Sequence, residues 1–483
     1  MKRLLTSVAV VVLLAAPASA AASVDTSRLR ADVRVDRIMH HLSRLQAIAD
    51  ANGGTRASGL PGFTASQNYV VGQLADQGYL VTVQPFSFAF FRELATPTFA
   101  RVSPDEHEFV PNVDFFTMMY SATGNANAQI LPVDTDGQPN QASTSGCELA
   151  DFANFPPGAI ALMQRGTCTF GQKVQNAQIA GATAAVIFNR GGGADAAFQG
   201  TLGAPGFTIP AIGTSIQIGA DFVARSLDGP VFAHVQTTTE SDIRTTSNVI
   251  AETPGGNPDK VVIAGAHLDS VAAGPGIVDN GSGIGSLLEI AKQLHKSVKI
   301  NKTGGPDGLV NKVRFAFWGS EENGLNGSAF YLSQLSPQDR AKITININVD
   351  MLASSNGVYF VQDGDGQHTT PPGPLQPGRS VELEHVFVDY FDSQGLPFVY
   401  RPYDGRSDYQ SFVNAGIGAG GLTTGSDQVK TEEQVALFGG TAGQIMHPCY
   451  HTACDRLDTV NVPFLDDLSD ADAHAILTFA QTP

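Results

Sequence analysis

Apolar residues between Val33 and Ala51 recur at helical spacing (Val35, Ile38, Met39, Leu42, Leu45, Ile48), and Asn52-Gly53-Gly54 ends the pattern. That period predicts a helix with one apolar stripe. Thr64–Leu74 reads as a second helix, and Gly78–Phe88 alternates like a strand. Over residues 95–240 the pattern changes. Short apolar runs at Ala159–Met163, Ala184–Phe188 and Val231–Val235 sit between Gly- and Asn-rich loops, with one helical segment at Lys173–Ala180. These features predict a separate strand-rich module. After Thr245, runs of Val, Ile and Phe at Val261–Ala264, Val313–Trp318, Ile343–Val349 and Val358–Val361 read as buried strands, and Ile284–Leu294 as the clearest helix between them. Buried strands joined by helical crossovers define an α/β fold with a doubly wound, mostly parallel sheet. Gly364–Gly378 is rich in Pro and Gly and reads as a surface loop; no internal repeat is present.

The first twenty residues follow another logic. Lys2 and Arg3 precede an apolar stretch, Leu4–Ala16, that is too short to span a bilayer, and Pro17-Ala18-Ser19-Ala20 supplies small residues for cleavage. This predicts a signal peptide cut after Ala20 and a secreted or periplasmic protein. The expected organisation is a leader at 1–20, a first piece of the α/β domain at 21–94, the insertion at 95–240, and the remainder at 241–483. With 42% hydrophobic residues among 483 the chain can build real cores. A formal net charge of −17 argues against nucleic acid and anionic membranes as partners. No second long apolar run predicts a membrane span. Four cysteines allow three pairings, and each local pair falls inside one expected domain, which favours Cys147–Cys168 and Cys449–Cys454. Neither pair has the tight spacing of a zinc site.

Chemistry-bearing residues stand at strand ends in the last 240 positions: His267 and Asp269, Asp279, Glu321-Glu322, Asp350, and Tyr450-His451 between two cysteines. Open α/β sheets bind ligands beyond the carboxyl ends of their strands, where loops bring distant residues together. Two histidines and three carboxylates form a donor set suited to a pair of zinc ions, one carboxylate bridging both. Of two adjacent glutamates, one can ligate while the other serves as general base. Asp269, two residues after His267, can accept the other ring N–H and fix the tautomer. Each piece alone also suits a surface pair, a solvated turn or a helix cap; their joint order and spacing favour the site. The remaining histidines show no such partners and read as structural or exposed. Asn280-Gly281-Ser282 is formally a glycosylation sequon.

His267-x-Asp269, Asp279, Glu321-Glu322, Asp350 and His451 resemble the motif series of the co-catalytic di-zinc aminopeptidases, in the branch of aminopeptidase Y and secreted bacterial leucyl aminopeptidases. Gly405-Arg406-Ser407-Asp408-Tyr409, Gly420-Gly421-Leu422-Thr423-Thr424-Gly425 and Cys449-Tyr450-His451-Thr452-Ala453-Cys454-Asp455 are similar to further signatures of that branch. The likeness runs from about Val33 to Leu468. It implies a zinc-exopeptidase fold and cleavage of an N-terminal residue, large and apolar such as leucine. His267 and Asp350 would bind one zinc, Glu322 and His451 the other, with Asp279 bridging. Glu321 would activate the bridging water, Asp269 orient His267, Tyr450 stabilise the oxyanion, and Arg406 line the substrate site. Thr423 stands where relatives often carry an aromatic residue, which bears on the side-chain preference. Pro157–Leu162, Arg165–Phe170, Lys173 and Ala180-Gly181-Ala182 resemble a protease-associated domain. Asp32, Val33, Asp466 and Asp470 resemble a structural calcium site of secreted relatives, and equally fit a solvated helix start. The expected partners are peptides with a free N-terminus, acted on by a monomer. A carboxypeptidase or glutaminyl cyclase of the same fold, and an inactive receptor-like homologue, are the alternatives.

Overall fold

The computed structural model describes residues 24–297 and 308–483. The expected leader lies outside the described residues. The α/β half is built on a mixed sheet. Across it the strands run Val399–Arg401, Phe360–Gln362, Ala419–Thr423, Ile343–Val349, Asn257–His267, Asn311–Trp318 and Phe232–Glu252. The pairings that join Ala419–Thr423, Ile343–Val349, Asn257–His267 and Asn311–Trp318 are parallel. Phe360–Gln362 and Phe232–Glu252 pair antiparallel to either side of them.

Successive side chains of these strands enter opposite layers. Val262, Ala264, Ala266, Val313, Phe315 and Phe317 pack under the helices Val35–Ala51, Ser282–Ser297 and Val462–Gln481. Val261, Ile263, Ala316 and Trp318 pack on the other face against Tyr331, Leu332, Tyr409 and Phe412. Helices thus cover both faces, and the doubly wound arrangement follows. Burial on two sides also explains why Val261–Ala266 reads as an unbroken apolar run rather than an alternating one.

In the insertion, Gly124–Pro132, Ile160–Gln164, Ala184–Phe188 and Ala211–Thr214 lie side by side in parallel. The helices Phe170–Ile179 and Ile216–Asp228 bury Val174, Ala177, Phe222 and Val223 against them. Cys147–Cys168 and Cys449–Cys454 are both bonded.

The two halves are joined by a ribbon longer than the pattern predicts. The strand expected at Gly78–Phe88 runs over Leu80–Ser103 and pairs antiparallel with Phe232–Glu252. The short strand expected at Val231–Val235 is one end of that partner. Glu93–Thr96 are exposed, so no apolar alternation marks the middle of the ribbon, which backbone pairing sustains. The expected boundaries at 94/95 and 240/241 fall inside these strands.

Candidate active site

The carboxyl ends of the parallel strands open onto a cleft lined by His267, Asp279, Glu321, Asp350, Arg406 and Tyr450 among others. His267 ends its strand. Glu321-Glu322 follow Trp318 by a two-residue turn, and Asp350 follows Val349 directly. Asp279 sits on the tight turn before the Ser282–Ser297 helix, and His451 on the Cys449–Cys454 loop. Gly274 lets that loop close onto the cleft, since a Cβ there would stand 2.0 Å from the Thr452 carbonyl oxygen.

Two donor trios form and share one residue. His267 Nε2 lies 3.1 Å from Asp279 Oδ1 and 3.4 Å from Asp350 Oδ1. His451 Nε2 lies 3.2 Å from Asp279 Oδ2 and 3.0 Å from Glu322 Oε2. Asp279 therefore offers one oxygen to each trio. Glu322 Oε1 and Asp350 Oδ1 are buried without any hydrogen-bond partner. A buried polar atom left without a partner is costly, and a divalent cation supplies what these lack. Two imidazoles with three carboxylates are the N/O donors that zinc takes.

The electrostatics match that reading. Burial opposes charge on His267, yet the Glu321 and Asp350 carboxylates and the Asp279 bond raise its pKa well above the ordinary value. Burial likewise opposes charge on His451, but bonds to Asp279 and Glu322 push it up to about 10. Burial and then the Asp279 charge push Glu322 up to about 7. Burial raises Glu321 well above the ordinary carboxylate value, with the charges of Glu322, Asp408 and Asp350 adding to it. The cluster is crowded with negative charge that protons or cations must offset.

Further groups hold the donors in place. His267 Nδ1 lies 3.0 Å from the Asp269 backbone carbonyl, which can only accept, so Nδ1 carries the proton. The expected contact to the Asp269 carboxylate is longer, at 3.8 Å. That carboxylate instead accepts the Glu321 N–H at 3.1 Å, because its oxygen points across the strand ends rather than back at the ring. Asp455 accepts the N–H groups of Val278 and Asp279 at 2.8 and 3.0 Å. Ser407 donates to Asp350 Oδ2 at 2.5 Å. Arg56, fully buried, donates to the carbonyls of Leu268, Pro275 and Gly276 and so clamps the loop between His267 and Asp279. Asn280 is buried and bonded to Val349 and Gly283, which leaves no room for a glycan. Ser320, Met351 and His451 adopt positive φ near 57°, and each belongs to a donor trio or adjoins a site candidate. Such outliers in non-glycine residues concentrate where surroundings force an aim.

Tyr450 stacks on the His451 ring at 3.8 Å, and Arg406 donates to its hydroxyl at 3.2 Å and to Asp427 at 2.8 Å. Met351, Leu422 and Thr423 form the less polar wall. The sequence assigns no role to Arg56, Ser407 or Asp455: Ser407 and Asp455 lie inside the Gly405–Tyr409 and Cys449–Asp455 motifs, and Arg56 carries no local signal. The four calcium candidates divide. Burial and the Asp466 charge push Asp470 up to about 7. Asp32, Asp466 and Asp470 are not gathered within 4.8 Å of one another.

Fold and site together define a metal-dependent hydrolase of the α/β exopeptidase type. The chain belongs to Peptidase family M28, matched over residues 248–476, and carries a PA domain at residues 132–222. It is 40% identical to an aminopeptidase of Pseudomonas aeruginosa, over 91% of this chain and 80% of that protein. It is 41% identical to a probable leucine aminopeptidase 2 of Aspergillus fumigatus, over 76% and 70%. Among solved structures it resembles an aminopeptidase from Aneurinibacillus, with a TM-score of 0.68, 26% identity and coverage of 95% and 97%.

Proposed function

We propose that this M28 peptidase is an exported zinc aminopeptidase that removes a large apolar residue, leucine first, from the N-terminus of peptides. The observation that carries the reading is Asp279 shared between two donor trios. His267 and Asp350 would hold one zinc and Glu322 and His451 a second, and Asp279 belongs to both donor trios. Zinc so placed supplies Lewis acidity and acidifies water. Glu321 lines the cleft without belonging to either trio, so it takes the proton of the attacking water and returns it to the leaving amine. Arg406 donates to the Tyr450 oxygen, which frees the phenolic hydrogen for the developing oxyanion. Asp269 positions His267 through its carbonyl and Glu321 through its carboxylate. Carboxylates around the cleft favour a substrate ammonium. The pseudomonad relative's name supports cleavage at an N-terminus, and the aspergillal relative's name supports leucine there.

Leucyl-p-nitroanilide and its N-acetyl derivative test the reading. The free amine should be cleaved, the acetylated one not, and a chelator should abolish turnover that zinc restores. Cleavage of the acetylated substrate would overturn the aminopeptidase assignment. A kcat/KM for the glutamyl substrate equal to that for leucyl would overturn the side-chain preference. Two disulfides and the leader-like start support export; a mature N-terminus at Ala21 would establish it. Structural calcium at Asp32, Val33, Asp466 and Asp470 is supported by the proximity of Asp466 and Asp470 alone, and a calcium-dependent rise in unfolding temperature tests it.

A further inference from the structure

We infer that Asp363, Asp365, His368 and Glu384 form a second, separate divalent-metal site at the far edge of the α/β sheet. Each offers one donor atom, and the four lie within 4.8 Å of one another. None belongs to the catalytic trios. Asp363 follows the Phe360–Gln362 strand, Asp365 and His368 lie in the loop expected to be a plain surface connection, and Glu384 projects from the Ser380–Gln394 helix.

The arrangement is built rather than incidental. Asp363 is 1% exposed and Glu384 2% exposed. Asp363 Oδ2 accepts the N–H groups of His368 and Thr369, both at 2.9 Å. Glu384 Oε2 accepts those of Gly364 and Asp365 at 2.7 and 3.2 Å. One oxygen of each carboxylate is therefore fixed by backbone, which aims the other. Those others, Asp363 Oδ1 and Glu384 Oε1, are buried and have no hydrogen-bond partner. Glu384 Oε1 lies 3.6 Å from His368 Nε2, and Asp365 Oδ2 lies 3.8 Å from it. The His368 ring is held flat on Tyr400 at 4.1 Å. Among the described residues no lysine or arginine pairs with these carboxylates; Arg401 beside them is taken by Asp404. Two orphaned buried oxygens, a third carboxylate and an imidazole, with separations of this size, are what a zinc- or manganese-class ion takes. Calcium and magnesium prefer oxygen alone. Half-exposed His368 leaves a path for entry.

The site has a task. Asp363 N–H donates to the Arg401 carbonyl at 2.9 Å, and Gln362 and Arg401 both line the catalytic cleft. An ion on Asp363 and Glu384 ties the cleft's outer wall to the helix behind it.

The test uses full-length enzyme equilibrated with zinc or with manganese, freed of excess by gel filtration, and analysed for metal per chain. Wild type should carry one equivalent more than His368→Ala and than Glu384→Gln, while both variants keep the two zinc ions of the catalytic trios. His368 is half-exposed, so its loss does not threaten folding even where Glu384→Gln does. Equal metal in wild type and His368→Ala, with either ion, would overturn the site. Metal retention by both variants alongside undiminished turnover would also mean that Glu384 simply holds a proton. Loss of turnover in wild type on chelation reads the catalytic pair alone, so the two assignments fail separately.

Discussion

The inserted domain and the α/β half treat buried polar atoms in opposite ways. In the insertion the Lys173 ammonium, fully buried, donates to the Ser145 carbonyl, and Asn176 gives both its amide hydrogens to the carbonyls of Gly146 and Cys147. Gln164 donates to Gln138 at 2.7 Å. These groups close the loops around the Cys147–Cys168 bond. In the α/β half, Asp269, Glu322, Asp350, Asp363, Glu384 and Asp408 each keep at least one buried oxygen without a partner. Among the described residues every such carboxylate lies in that half, although Asp269, Asp408, Glu289 and Asp472 belong to none of the donor groups. Polar burial in the insertion is mostly architecture: among the described residues Thr117 Oγ1 and Arg190 Nε lack a partner there, but no carboxylate does. At the strand ends it is incomplete, and the missing partner is an ion or a substrate.

The two adjacent glutamates sharpen that contrast most. Glu321→Gln keeps shape and removes the base, so kcat should fall by roughly 10²–10⁴-fold with both zinc ions retained. Glu322→Gln should lose zinc instead, with activity partly recovered by added zinc. Metal content and kcat on both variants check this, and exchanged phenotypes would exchange the roles. Next in size is Ser407→Ala, which strips the Asp350 carboxylate of its hydrogen bond. Zinc affinity should weaken by about 10–100-fold, the usual cost of losing a group that orients a ligand. Competition with a chelator measures it.

In the insertion the expected loss is stability alone. Lys173→Met leaves the Ser145 carbonyl unpaired and should cost about 1–3 kcal/mol, read as a lower unfolding midpoint, with zinc content and kcat on leucyl-p-nitroanilide unchanged. A loss of zinc would break the comparison. The smallest effect concerns pH. Burial lowers His41 to about 4, and burial with the Arg30 charge does the same to His474. Unfolded, each titrates near 6.5. Below that value the unfolded chain binds protons that the folded chain does not, so stability present above pH 6.5 should drain away as pH falls toward 4. His41→Gln should flatten part of that fall in thermal melts at pH 7, 6 and 5.

The sequence revealed the buried strands rich in Val, Ile and Phe, but not Ala211–Thr214 or Ala419–Thr423, whose small residues carry no such signal. Ile343–Val349 matches its expected bounds at both ends because Ile343, Ile345, Ile347 and Val349 recur at the strand period, although Thr344, Asn346 and Asn348 stand between them. The Leu80–Ser103 ribbon escaped because its exposed middle has no apolar period to read. The Val462–Gln481 helix escaped as well: it packs Ala471, Ala473, Ala475 and Ala480, whose small side chains blur the stripe. The donors were legible as residue types at strand ends. Their supports were not, since Arg56 acts through carbonyls 212–220 positions away, and nothing local marks such a contact. The Asp363–Glu384 cluster was hidden for a related reason. Its loop reads as Pro- and Gly-rich surface, and His368 finds its partners only when the helix bearing Glu384 packs behind it.

Anomalous scattering from crystals of the zinc-loaded enzyme, measured above and below the zinc edge, tests the central claim most directly. Two peaks should flank the Asp279 carboxylate, one beside His267 and Asp350 and one beside Glu322 and His451. A single peak there, or none, would contradict the shared-carboxylate site.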